Sequence, residues 1–72
     1  MIETVKTFDR YDPEERSTAR LKVVYDDEPD SYTYVGHLDI HGDLVEMNLH
    51  PREVAALLDI LNSAYGGQIH AA

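Results

Sequence analysis

Residues 32–49 read YTYVGHLDIHGDLVEMNL, two alternating runs joined at Gly42-Asp43. Tyr32, Tyr34, Gly36, Leu38 and Ile40 alternate with Thr33, Val35, His37, Asp39 and His41; beyond the glycine, Val45, Met47 and Leu49 alternate with Leu44, Glu46 and Asn48. A period of two marks a strand with one buried face, because successive side chains leave opposite sides of a sheet. With Gly42-Asp43 as a two-residue hairpin loop, Ile40 faces Val45 and Leu38 faces Met47, which puts both apolar series on one side. An antiparallel hairpin is therefore expected here.

Immediately after it, Pro51-Arg52-Glu53 opens a helix over 51–65. Proline suits the first helical position, where its missing N–H would have no partner in any case. Val54, Leu57, Leu58, Leu61 and Tyr65 then recur at helical spacing as one apolar stripe. Gly66-Gly67 is expected to stop the helix in a left-handed turn, with Gln68 to Ala72 as a frayed tail.

Before the hairpin, Ala19, Leu21, Val23 and Tyr25 alternate with Arg20, Lys22 and Val24, a strand with the first set turned inward. Residues 2–8 are a weaker strand of ambiguous face. Asp12-Pro13-Glu14-Glu15-Arg16 and Asp26-Asp27-Glu28-Pro29-Asp30 are acidic, contain proline and separate the strands, so both are expected to be loops; the first also fits a single helical turn. The expected fold is α+β: an antiparallel meander of three to four strands with one C-terminal helix packed on one face. The whole, 1–72, is expected to be one small domain, with strands and acidic loops over 1–50, the helix over 51–65 and the tail over 66–72.

Composition narrows the function classes. Fourteen acids against six bases give a net charge of −8 in 72 residues. Such a chain is repelled by DNA, RNA and anionic lipid, so neither nucleic acid nor membrane is an expected direct partner. Absence of cysteine removes disulfides, a thiolate nucleophile and cysteine zinc sites. The longest apolar run, Val54 to Leu58, is five residues, far short of the roughly 20 that span a bilayer. Met1 to Arg10 mix charged and apolar types without the apolar block of a signal peptide. A soluble cytoplasmic protein is expected. Ser17, Ser31 and Ser63 lie in no nucleophile motif, there is no glycine-rich phosphate loop, and no enzymatic activity or cofactor is expected.

Three residue groups are candidates for function. In the hairpin register above, His37, Asp39 and His41 share a strand face with Glu46 opposite, a nitrogen and oxygen set suited to zinc or another first-row metal. The plainer reading is a solvated face whose imidazoles offset the acids. Asp26, Asp27, Glu28 and Asp30 form an acidic tip near Tyr25, Tyr32 and Tyr34; with Pro29 in the middle and no glycine at the bend it does not fit a calcium loop. Carboxylates beside aromatic rings suit a basic groove on another protein, and the partner-binding set is therefore Asp26, Asp27, Glu28, Asp30, Tyr32 and Tyr34. Finally Val5, Val24, Val35 and Leu44 are apolar at outward positions, and a homodimer would bury them.

In size, charge and lack of catalytic residues the chain resembles the small proteins that phages use against host defence, anti-CRISPR proteins among them, some of which mimic nucleic-acid charge. Acidic immunity proteins and antitoxins share these properties. The leading expectation is a small acidic inhibitor that occupies a partner's surface; the alternatives are a metal-binding or pH-responsive module and a structural accessory subunit. Surface acidity for solubility at high salt is a further reading of the charge.

Overall fold

The computed structural model describes residues 2–66. Four strands and one helix follow in order: β1 (Glu3–Asp12), β2 (Ser17–Asp26), β3 (Thr33–Leu38), β4 (Leu44–Leu49) and α1 (Pro51–Tyr65). The strands form one antiparallel sheet in the order β1-β2-β3-β4. The α+β meander is as expected. The first two strands are longer than the alternation suggested, because Asp12 and Ser17 still pair across their turn. Asp12 holds that turn, its Oδ1 accepting from the backbone N–H groups of Glu14 (3.0 Å) and Glu15 (3.1 Å). Pro13 to Arg16 are thus a hairpin loop rather than a helical turn.

The β3–β4 register differs from the expected one. Leu38 opposes Leu44, His37 opposes Val45, Gly36 opposes Glu46 and Val35 opposes Met47. Ile40, His41 and Gly42 make a three-residue loop in which Gly42 takes the left-handed conformation, φ 86°. Gly42 N–H donates to the Asp39 carbonyl (3.1 Å) and Asp39 N–H to the Asp43 carbonyl (2.9 Å). Asp39 Oδ1 accepts from the N–H groups of His41 and Asp43, both at 2.9 Å. The carboxylate satisfies two donors of this wider loop, and the pairing lies three residues from the expected one. An odd shift exchanges the faces of one strand relative to its partner. Gly42→Val forces a β-branched residue to positive φ and is expected to destabilise the fold by about 2 kcal/mol, read as a lower midpoint in urea unfolding, with Gly42→Asn closer to the parent.

Opposed residues share a face, so the registers divide the sheet cleanly. One face, here the near face, carries Phe8, Ala19, Leu21, Val23, Tyr25, Val35, Val45, Met47 and Leu49. The far face carries Val5, Asp9, Arg20, Lys22, Val24, Tyr34, Leu38, Leu44 and Glu46. The inward set expected for the second strand is the near-face set. Leu38, expected beside Met47, is on the opposite side from it, and Ile40 lies in the loop.

The helix starts on the near face. Pro51 and Val54 border a depression of about 380 Å³ with Val23, Tyr25 and Thr33. His50 alone links β4 to α1, and it caps the helix: its Nδ1 accepts from Arg52 N–H (3.0 Å), while Glu53 Oε1 accepts from His50 N–H (2.9 Å). From Ala55 onward every described helix residue is exposed. The expected cover over the sheet is therefore confined to the first turn, since a one-residue link with a closed capping box gives the helix no slack to fold back. Gly66 has φ −47° rather than the expected left-handed value; a Cβ there would meet the Asn62 carbonyl oxygen at 2.7 Å, so close approach explains the glycine. Gly67 and the tail expected at 68–72 lie outside the described residues. Among the described residues no helix is long and apolar enough to cross a membrane.

Candidate functional site

The acidic tip between β2 and β3 is a built loop. Asp26 Oδ1 accepts from Glu28 N–H (2.8 Å), and Ser31 N–H donates to the Glu28 carbonyl (3.2 Å), closing a turn around Pro29 and Asp30. Asp27 Oδ1 accepts from Ile2 N–H (3.0 Å), tying the start of the chain to the tip. Two of the four predicted acids are thus structural. The carboxylates of Glu28 and Asp30 make no hydrogen bond among the described residues and stand exposed. Sequence spacing could not separate these two pairs, although an aspartate two residues before a turn N–H is a recurrent turn former.

Of the three tyrosines, Tyr25 stays with the tip, lining one depression with Asp26, Glu28 and Pro29, whereas Tyr34 does not. Tyr25 lies on the near face and Tyr34 on the far face, as their register partners require. Tyr32 packs edge-on against the His50 ring, centroids 5.4 Å apart, at the helix cap. Tyr34 lies over Gly36 so closely that a Cβ on the glycine would be 2.5 Å from its hydroxyl. That hydroxyl donates to Glu46 Oε2 at 2.6 Å. The hydrogen bond to Glu46 pushes the Tyr34 phenol above its ordinary value, with desolvation and the nearby carboxylate charge adding to it. The stabilisation from this contact is present below the ordinary tyrosine range and is lost as pH rises through the elevated value. Glu46→Ala is expected to return Tyr34 towards ordinary behaviour, seen as an earlier tyrosinate absorbance rise in a spectrophotometric pH titration.

The predicted metal set does not converge. His37 points to the near face opposite Val45, Glu46 to the far face opposite Gly36, and Asp39 and His41 belong to the hairpin loop. Asp39, expected opposite Glu46, instead serves its own loop. Its carboxyl is held below the usual range chiefly by the Asp43 and His41 N–H donors, with His41 and His37 charge contributing and desolvation opposing. Among the described residues no group of three or more His, Cys, Asp or Glu side chains is placed to hold a metal ion.

On the far face Asp9 and Arg20 form a two-pronged ion pair, Nε to Oδ1 at 2.7 Å and an Nη2 bond to Oδ2 at 2.9 Å. The Arg20 hydrogen bond lowers the Asp9 pKa, and Asp9 reciprocally raises that of Arg20. Of the expected outward apolar set, Val5, Val24 and Leu44 are on this face, whereas Val35 is on the near face. The larger apolar surface is elsewhere. Phe8, Leu21, Tyr25, Val45 and Met47 are exposed on the near face, with Leu57, Leu58, Leu61 and Tyr65 exposed along the helix. Alternation identified most of these as inward positions; that nothing among the described residues covers them was not legible.

No protein-family model, curated protein or solved structure matches the chain.

Proposed function

We propose that this chain is an acidic binding module that occupies a basic surface of another protein, one shaped to hold nucleic acid. The observation that carries the reading is the division of labour in the 26–30 loop. Asp26 and Asp27 fold the tip, and Glu28 and Asp30 project from it with no hydrogen-bond partner among the described residues. Rigid, exposed carboxylates on a chain of net charge −8 steer encounter with a basic groove and resist ones of like charge. Tyr32, beside the tip and fixed by His50, supplies an aromatic contact at little entropic cost. The module acts by occupation and needs no reaction or cofactor; its partners would be met in the cytoplasm, as inhibitors of phage type, immunity proteins and antitoxins meet theirs.

The test is competition. Proteins captured from host extract by the immobilised chain are challenged with duplex DNA, and the capture is repeated with Glu28→Lys, Asp30→Lys. Release by DNA together with loss of capture by the variant supports occupation of a nucleic-acid site. Capture indifferent to both would remove the reading.

A further inference from the structure

Among the described residues Ala19, 3% exposed, is the one buried apolar side chain. A folded chain with so little interior leaves an imbalance that its dimensions repeat. The accessible surface is 5942 Å², against about 4,500 Å² for a compact protein of 8.2 kDa. The radius of gyration is 14.2 Å, against about 11 Å for a compact chain of this length. The surplus surface, about 1,400 Å² per copy, exceeds the roughly 800 Å² per partner that a standard stable interface buries.

Two apolar surfaces are left uncovered among the described residues. The near face of the sheet exposes Phe8, Leu21, Val45 and Met47; the helix exposes a straight stripe of Leu57, Leu58, Leu61 and Tyr65. An amphipathic helix and an apolar sheet face ordinarily cover one another. Within one chain they cannot, because His50 alone joins β4 to α1 and its capping box fixes the direction in which the helix leaves. Only the first turn, through Val54, reaches the near face.

Charge decides which copy of what can cover them. At net −8 the chain repels itself over most of its surface. The near face is the exception: its strand positions carry Lys6 and Arg10, with a single acid, Asp12, at the far end where it holds a turn. Glu3, Asp9, Asp26 and Glu46 are all on the far face, and the other acids are in loops or the helix. The apolar strand positions of the near face are also its least acidic part, with Asp26 and Glu28 at the rim beside Pro51 and Val54.

We infer that the near face is covered by a second copy of this chain, each copy laying its helix stripe across the other's strands about a two-fold axis. Such an arrangement is closed, so it ends at two. It does not depend on what the acidic tips bind.

The purified chain alone tests it, with no other protein present. Sedimentation equilibrium at micromolar concentration is expected to give twice 8.2 kDa. NMR on a mixture of isotope-labelled and unlabelled chains is expected to show contacts from the Leu57, Leu58 and Leu61 methyls of one chain to Phe8 or Met47 of the other. Leu61→Asp raises the dissociation constant roughly a hundredfold or more. Should that variant not fold, the mixed-label experiment on the unaltered chain still decides. A particle of single-chain mass overturns the inference, as does a dimer whose contacts run through the far face or through the β1 edge.

Discussion

Leu61→Asp leaves the purified chain unpaired and less stable at micromolar concentration, while Leu44→Asp leaves it folded and paired. In the single chain the two leucines look alike, 38% and 56% exposed. A carboxylate at either would be hydrated, and surface changes of that kind fall within about 0.5 kcal/mol. They differ in position: Leu61 is on the helix stripe, Leu44 on the far face opposite Leu38. If a second copy covers the stripe, each Leu61 loses about 1.5–3 kcal/mol of burial. The two-fold axis repeats the loss in the other copy, before any cost of a carboxylate held among apolar groups. Small domains have about 5–15 kcal/mol in total, and one whose only buried apolar side chain among the described residues is an alanine has little to lose. Circular dichroism and sedimentation on both variants read the contrast; equal behaviour would place Leu61 in water.

Glu28→Lys with Asp30→Lys is expected to slow association with a basic partner by at least tenfold at low salt and to flatten its salt dependence. The two reversals change the net charge from −8 to −4, each adding two positive units. Their larger effect is local, because these are the tip carboxylates with no role in holding the loop. Steered association rises by one to three orders of magnitude when a charged patch faces its opposite and collapses as salt screens it beyond a Debye length of about 10 Å. Asp26→Ala and Asp27→Ala should act differently. They remove acceptors for Glu28 N–H and Ile2 N–H and one charge each, loosening the tip and weakening binding largely through disorder, with a smaller loss of salt slope than the double reversal. Stopped-flow rates across a salt series separate the two. A rate unmoved by the double reversal would take the tip out of the contact.

The strands, the helix and the inward set of β2 were legible because alternation and helical spacing are local properties of the chain. The β3–β4 register was not, although both strands were. Gly42-Asp43 has the composition of a two-residue loop, but Asp39, three residues upstream of Gly42, donates and accepts enough bonds to widen it. A side chain that holds a wider loop changes register without changing the pattern of either strand. That one carboxylate is why His37 and Glu46 parted to opposite faces and the candidate metal set dissolved. The acidic tip was legible as a charge cluster and illegible as a structure, since Asp26 and Asp27 fold the loop that Glu28 and Asp30 project from. The helix stripe announced burial and could not announce against whom: periodicity specifies a buried face, and a one-residue link decides whether the same chain can supply the cover.

That link makes connection length a control on assembly. Inserting about four flexible residues after Leu49 adds roughly 13 Å of reach, enough for the helix to swing back over its own strands. Each chain would then close on itself, the reverse of the domain swapping that shortened hinges induce, and the sedimenting mass would halve with every contact residue intact. Stoichiometry in such a design is written in the backbone's slack, so insertions and deletions at this hinge would alter quaternary structure where substitutions would not.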